Sequence, residues 1–142
     1  MTNPWREDYP ILAQQVYGRK LVYLDNAATS QVPRQVLERI TEHYTKEHAN
    51  VHRGVHFLST ASTSAVEAVR KKTAAFLHAP SAQNIVFTQG TTDSIHLVCS
   101  GLEEHLDENA GVLVSVLEHH SNFVPWQQAC LRRGAPFAVC PA

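Results

Sequence analysis

A glycine followed by two threonines and an aspartate has the composition of an anion-binding turn. Gly90, Thr91, Thr92 and Asp93 follow an apolar, β-rich stretch and precede residues with helical spacing. The first turn of a helix leaves backbone N–H groups unpaired and carries a partial positive charge. Glycine lets a ligand approach the backbone, so the pattern indicates a phosphate cradle. The alternative is that Thr92 or Asp93 only caps the helix, which is common for these residue types.

Two adjacent histidines follow a second apolar run. His119 and His120 come just past residues 112–117, which have the composition of a strand. A histidine at such a strand end can stack its ring on a flat cofactor or transfer protons. The alternative is a pair of loop histidines without a chemical role.

A third polar cluster lies in a predicted loop at residues 49–60. Arg53 has the planar guanidinium that grips a carboxylate or phosphate through two parallel bonds, and a surface salt bridge of little energetic value is the alternative. His52 and His56 have the i, i+4 spacing of a zinc pair on a helix. Because Gly54 lies between them and no His-Glu-x-x-His motif is present, we expect no metal site.

Apolar runs alternate with stretches of helical periodicity along the chain. The predicted strands are 21–24, 84–88, 112–117 and 137–140. The predicted helices are 33–44, 64–77 (from a Ser-x-x-Glu capping box), 95–106 and 123–133. This alternation predicts an α/β fold with a three-layer, mostly parallel sheet flanked by helices. Ligands of such sheets bind beyond the carboxyl ends of the strands, where the glycine-threonine and histidine clusters fall.

Composition excludes several classes of protein. The 142 residues carry 12 basic and 13 acidic side chains, so no basic face for nucleic acid is expected. No apolar run approaches the roughly 18 residues of a membrane span, and the first nine residues have no apolar core of a secretory signal. Three cysteines without a Cys-x-x-Cys pair favour a reducing compartment. We therefore expect a cytoplasmic protein.

Four segments together resemble the class V, fold-type I pyridoxal-phosphate enzymes, and within them the Suf-type (group II) cysteine desulfurases. The segments are Leu24-Asp25-Asn26-Ala27-Ala28-Thr29, Val51-His52-Arg53-Gly54-Val55-His56-x-Leu58-Ser59, Gly90-Thr91-Thr92 and Glu118-His119-His120-x-Asn122-x-x-Pro125-Trp126. They occur in the family's order and extend over essentially the whole chain. Asp93 departs from the pattern, because related sequences more often carry Glu after the two threonines.

The resemblance implies where a bound cofactor and substrate lie. Residues 1–142 would be the N-terminal third of the enzyme, with an N-terminal arm at 1–30 and the start of the cofactor-binding large domain at 60–142. The residues with implied roles are Thr91 and Thr92 at the phosphate of pyridoxal phosphate, His119 on its ring, Asn26, Ala27 and Ala28 on the substrate side, and His52 and Arg53 toward an active site at a homodimer interface.

The implied reaction takes sulfur from L-cysteine, leaves L-alanine and forms an enzyme persulfide. A sulfur-acceptor protein would then carry the sulfur toward iron–sulfur cluster assembly. The family's Schiff-base lysine lies in a Ser-x-His-Lys segment, and no such segment occurs here. The aspartate at the pyridine nitrogen, the nucleophilic cysteine and the carboxylate-binding arginine are likewise absent. We therefore expect no catalytic residue in this chain, no activity from it alone and at most partial binding of the cofactor.

Three other interpretations stay open at this point. The chain can belong to another class V enzyme, an aminotransferase or a kynureninase-like hydrolase. It can also be a non-catalytic fragment that pairs with an intact homologue. A metal-binding module that uses the nine histidines is the remaining class.

Overall fold

A computed structural model describes residues 3–142, which leaves the first two residues of the predicted arm 1–30 outside the described part. The chain forms two compact units, Met1–Ile85 and Val86–Ala142. The helices are α1 (Arg34–Glu42), α2 (Phe57–Phe76), α3 (Thr91–Leu102) and α4 (His120–Arg133). The strands are β1 (Gln15–Val16), β2 (Arg19–Lys20), β3 (Val112–Ser115) and β4 (Phe137–Cys140). No helix within residues 3–142 combines the length and apolarity needed to cross a membrane.

The first unit contains a short hairpin that the sequence analysis did not predict. Strands β1 and β2 pair antiparallel around Tyr17 and Gly18, which both have positive φ, at 53° and 72°. Two positive φ values suit the twist of a tight hairpin turn. The strand predicted at 21–24 is absent, so that prediction was wrong. The Leu21 carbonyl instead accepts a hydrogen bond from the Arg6 guanidinium at 2.8 Å, outside any strand pairing.

Helix α2 begins seven residues before the predicted capping box, at Phe57. His56 caps it, because its Nδ1 accepts the backbone N–H of Ser59 at 3.4 Å. Ser64 and Glu67 consequently lie inside the helix, and the prediction of a helix start there was wrong. Helix α1 follows Pro33 as predicted and continues into a π-helical turn, His43–Glu47.

The second unit contains the predicted strand–helix–strand crossover. Strands β3 and β4 pair in parallel, with Val112 opposite Phe137, and α4 connects them. Gly134 ends α4 in the left-handed region (φ 65°), where glycine avoids a side-chain clash. The strand predicted at 84–88 is absent: Ala82–Asn84 form a 3₁₀ turn, and the Arg70 guanidinium binds the Ile85 carbonyl.

The core of the second unit lies between α3, α4 and one face of the parallel pair. Its buried side chains are Cys99, Leu106, Ala129 and Cys130, with Val112, Trp126, Ala135 and Phe137 packed against them. The opposite face of β3 presents Leu113, whose exposed fraction is 69%. The parallel pair and its crossover helix are the local features of the predicted α/β class.

We predict opposite stability effects for two glycine-to-alanine substitutions in the second unit. In Gly111→Ala the new Cβ would lie 2.1 Å from the Pro136 carbonyl oxygen, which accepts the first inter-strand bond from Val112. The strain should lower the free energy of unfolding by about 1–3 kcal/mol. Gly101→Ala, in α3 with no atom within 4 Å, should raise it by about 0.5–1 kcal/mol. Urea unfolding followed by circular dichroism measures both, and equal effects would contradict the predicted close approach at Gly111.

Candidate functional site

The first turn of α3 has no side-chain cap. Gly90 holds the N-cap position with φ 149° and ψ 178°. The Asp93 carboxylate turns away from the helix and accepts the backbone N–H of Gln89 at 3.1 Å. The Ser94 hydroxyl donates to the Gly90 carbonyl at 3.2 Å and lies 2.6 Å from the Thr88 hydroxyl. The side chains of Asp93 and Ser94, which could cap the turn, are therefore hydrogen-bonded to residues that precede α3.

The hydroxyls of Thr91 and Thr92 remain as unpaired donors. Both side chains are exposed, and neither hydroxyl makes a hydrogen bond to another part of the described chain. Thr92 therefore does not cap α3. Asp93 does not cap it either, because its carboxylate is bonded to the Gln89 N–H in the preceding loop. Two hydroxyls beside a positively polarised helix end form a donor set suited to a phosphate dianion.

His119 lies just past the carboxyl end of β3, as predicted, and caps α4. Its Nδ1 accepts the backbone N–H of Ser121 at 3.2 Å and lies 2.9 Å from the Ser121 hydroxyl. Because Nδ1 accepts this hydrogen bond, the neutral ring carries its proton on Nε2. The ring is exposed and contacts His120 only edge-on, at a centroid separation of 6.2 Å. A fixed ring at a strand end can lie against a planar ligand.

Glu118, Asn122 and Trp126 form a chain of hydrogen bonds in the Glu-His-His segment. The sequence analysis assigned no role to these three residues. Asn122 donates through Nδ2 to the Glu118 carboxylate at 2.8 Å and accepts from the Trp126 indole N–H at 3.1 Å. Its backbone N–H also donates to the His119 carbonyl at 2.8 Å. The i, i+4 spacing of 118, 122 and 126 was the available signal. This chain fixes the turn that carries His119.

In the first unit, a buried serine holds the Val-His-Arg-Gly loop in shape. The Ser59 side chain is only 1% exposed; its hydroxyl donates to the Asn50 carbonyl at 2.6 Å and accepts the Gly54 N–H at 3.0 Å. A Cβ on Gly54 would lie 2.5 Å from the Ser59 Cβ. Only glycine allows this approach, so Gly54 and Ser59 act together.

His52 and Arg53, which are adjacent in this loop, differ in their contacts. His52 has φ 65°; its N–H donates to the Thr63 hydroxyl at 3.0 Å, and its Nε2 lies 3.4 Å from the Glu67 carboxylate. Arg53 is exposed and has no ion pair with any residue in 3–142. Since His52 faces Glu67 and His56 caps α2, these two histidines do not converge as a pair. Arg53 is the group of this loop that can still take an anion.

The Asn26-Ala27-Ala28 segment forms a tight turn. The backbone N–H groups of Ala28 and Thr29 both donate to the Asp25 carbonyl, at 3.3 and 3.1 Å. Asn26 also lines a cavity of about 530 Å³ within the first unit, whereas Ala27 and Ala28 do not. The other lining residues are Asn3, Trp5, Arg6, Tyr9, Leu12, Val22, Tyr23, Leu24, Ser30 and Gln31.

In the second unit Cys99 and Cys130 pack in the core, and Arg132 forms an ion pair with Glu103. Burial raises the pKa of the Cys99 thiol, and the nearby Glu103 carboxylate adds to the shift, so Cys99 stays protonated at neutral pH. Cys130 is buried and Cys140 exposed. Arg132 binds Glu103 through two hydrogen bonds of 2.8 and 2.7 Å, which lower the pKa of Glu103. The pair's small stabilisation is therefore present above the ordinary pKa of glutamate and is lost as the pH falls through the lowered value.

Comparison with known proteins identifies the family. The aminotransferase class-V family model matches residues 22–142, so the chain belongs to that family. A cysteine desulfurase of Serratia proteamaculans is 43% identical over 96% of this chain, and a probable cysteine desulfurase of Synechocystis is 50% identical over 92%. The apo cysteine desulfurase of Thermococcus onnurineus NA1 superposes on 99% of the chain with a TM-score of 0.82 and 37% identity.

These relatives are considerably longer than this chain. The chain spans 34% of the Serratia protein, 31% of the Synechocystis protein and 33% of the Thermococcus structure. The likeness confirms the predicted resemblance and the α/β, fold-type I class. Cysteine desulfurases of this family depend on pyridoxal phosphate, which is the cofactor that the sequence predicted.

We predict that Ser59→Ala destabilises the first unit by about 1–3 kcal/mol, because it leaves the Gly54 N–H and the Asn50 carbonyl without their buried partner. The control is Ser100→Ala, which removes an exposed hydroxyl on α3 and should change stability by less than about 0.5 kcal/mol. Urea unfolding compares the two. A loss no larger for Ser59→Ala than for Ser100→Ala would show that the serine does not hold the loop.

Proposed function

We propose that this chain provides the phosphate- and ring-binding part of a pyridoxal-phosphate-dependent cysteine desulfurase. The observation that carries the proposal is the uncapped first turn of α3, with the free hydroxyls of Thr91 and Thr92. His119 supplies an exposed ring just past β3. The similarity to proteins named cysteine desulfurases supports this activity over the aminotransferase and kynureninase-like alternatives.

The donor set fits the phosphate of the cofactor. The start of α3 offers three backbone N–H groups and two threonine hydroxyls. All of them can donate a hydrogen bond to a negatively charged acceptor. The nearest carboxylate, Asp93, is committed to Gln89 and so leaves the turn to an incoming anion. Thr91 and Thr92 would hold the phosphate, and His119 would cover one face of the ring.

Covalent attachment of the cofactor does not fit the residues present. The chain has four lysines, Lys20, Lys46, Lys71 and Lys72. Lys20 lies in the hairpin strand β2, Lys46 contacts the Glu42 carboxylate at 3.8 Å, and Lys71 and Lys72 are exposed on α2. None has the Ser-x-His-Lys context, so this chain binds and orients without forming the bond.

Bound pyridoxal phosphate supplies an electron sink for bonds at the α-carbon of an amino acid. In the proposed reaction of the whole enzyme, L-cysteine gives up its sulfur as an enzyme persulfide and leaves as L-alanine. The sulfur then passes through an acceptor protein to iron–sulfur cluster assembly. The part played by this chain is to hold the phosphate, fix the ring plane and exclude water from one side.

The remaining residues with implied roles belong to the same proposal. His52 and Arg53 would approach an active site at a homodimer interface, with Arg53 as the unpaired cation. Asn26, Ala27 and Ala28 would lie on the substrate side. Residues 1–30 would act as an N-terminal arm, and residues 60–142 would begin the cofactor-binding domain. The three free cysteines support a reducing, cytoplasmic location.

We predict that the phosphate group dominates binding to this chain. Pyridoxine 5′-phosphate lacks the aldehyde and cannot react with lysines, so calorimetry with it reports non-covalent binding alone. It should bind at least ten-fold more tightly than pyridoxine. Thr91→Val and Thr92→Val should each weaken it about ten-fold, since a hydrogen bond to a charged group contributes about 1.5–3 kcal/mol.

The matched control for these variants is Thr41→Val, which removes an exposed hydroxyl from α1. It should leave the affinity unchanged. Equal affinities for pyridoxine and its phosphate, or threonine variants that bind like Thr41→Val, would refute the phosphate site.

We also predict that borohydride reduction after addition of pyridoxal phosphate does not fix the cofactor at one particular lysine. None of the four lysines has the Ser-x-His-Lys context of the attachment site. Reduction should therefore give a low level of labelling that a peptide map finds spread over several lysines. Stoichiometric labelling of a single lysine, with a stable visible absorption band before reduction, would show that this chain carries its own attachment site.

A further inference from the structure

Two histidines of the first unit meet on the π-helical turn that continues α1. The turn spans His43–Glu47, and His48 follows it directly. In a π-helix residues five apart stack one turn above the other, whereas an α-helix brings together residues four apart. His43 Nε2 and His48 Nδ1 consequently lie 3.2 Å apart. Single π-helical turns occur frequently at functional sites.

A third ring stands beside this pair. Tyr44 lies 5.2 Å from the His43 ring centroid and 5.2 Å from that of His48. The two imidazoles are nearly perpendicular, with an interplanar angle of 87° and centroids 5.3 Å apart. His43 is half-buried against the turn, while His48 is exposed. His43 is thus the more buried ring of the pair, and His48 is the more accessible to a ligand.

We propose that His43 and His48 form a two-histidine site for a divalent transition-metal ion, with Cu²⁺ bound most tightly. Two imidazole nitrogens at about 2.0–2.1 Å from one ion are about 2.9 Å apart in the square-planar geometry that Cu²⁺ prefers and about 3.3 Å apart in the tetrahedral geometry that Zn²⁺ prefers. The observed separation of 3.2 Å lies within this range. The ring that donates the present hydrogen bond would carry its proton on the other nitrogen, so that both lone pairs face the ion.

The charges around the turn do not oppose a dication. Residues 34–48 carry three basic and three acidic side chains, and the carboxylates nearest the turn are engaged. Glu47 binds Arg39, and Glu42 contacts Arg39 at 3.6 Å and Lys46 at 3.8 Å. No excess positive charge therefore remains beside the two rings.

The donor set determines which metals bind. Neutral imidazole suits Cu²⁺, Ni²⁺ and Zn²⁺, and in the ordinary affinity order of divalent ions Cu²⁺ binds most tightly. No cluster of three or more histidine, cysteine, aspartate or glutamate side chains suited to a metal occurs within residues 3–142. Water consequently completes the coordination, and the site is open. It lies in the first unit and does not depend on the proposed cofactor function.

The test is a titration of the chain, free of any purification tag, with Cu²⁺ alone. Calorimetry should show one tightest site per chain, and the electron paramagnetic resonance spectrum should show coupling to two imidazole nitrogens. His43→Gln and His48→Gln should each weaken that site at least ten-fold. The control variants His78→Gln and His105→Gln, each without a second histidine ring nearby, should leave it unchanged.

A measurement on the unaltered chain avoids any dependence on folding of the variants. In nuclear magnetic resonance spectra of the imidazole nitrogens, Zn²⁺ added below one equivalent should shift His43 and His48 together and before the other seven histidines. Shifts at only one of the two rings, or a tightest Cu²⁺ site that survives both substitutions, would overturn the proposal. A pair that responds to neither ion would be a structural hydrogen bond alone.

Discussion

The start of α3 keeps several backbone N–H groups together without an acceptor from the protein. Gly90 contributes no side chain to cap them. Asp93 and Ser94, which have the right chemistry for a cap, are bonded to Gln89 and to the Gly90 carbonyl instead. This allocation leaves the helix end for an acceptor from outside the protein. The cofactor assignment depends on that one constraint.

The other candidate residues also combine a group that is hydrogen-bonded within the protein with a group that is free to bind a ligand. His119 has one nitrogen committed to the Ser121 backbone, while its ring face stays exposed. In the loop of the first unit, His52 is held by Thr63 and Glu67, whereas its neighbour Arg53 has no charged partner among the described residues. In each case hydrogen bonds occupy one group and leave another available to a ligand.

The sequence predicted best where the decisive contacts are local. Helix α4 and the glycine that ends it depend on residues close in sequence, and β3 and β4 are each a continuous apolar run. The strands expected at 21–24 and 84–88 do not form, and neither segment belongs to a strand pair among residues 3–142. In both segments a carbonyl accepts a hydrogen bond from a distant arginine, Arg6 for Leu21 and Arg70 for Ile85, and such long-range contacts cannot be predicted from periodicity.

Two further features of the sites lay outside simple patterns. His56 caps α2 although histidine is not a usual cap, so the true start at Phe57 was missed in favour of a later Ser-x-x-Glu motif. A search for metal pairs at i, i+4 spacing also passes over His43 and His48, because only a π-helical turn brings residues five apart together. Thr91, Thr92 and His119 could be proposed from the sequence because they lie at a helix start and past a strand end, where ligands of such sheets bind, and their roles stay a prediction.

If an anion occupies the start of α3, an amide-resolved titration detects it most directly. With ¹⁵N-labelled chain and pyridoxine 5′-phosphate, we expect the backbone N–H signals of Thr91, Thr92 and Asp93 to shift first and to saturate together. The signals of the α1 start at Arg34 serve as an internal reference and should stay in place. If Thr91, Thr92 and Asp93 do not move, or move no more than the reference, the phosphate site does not exist.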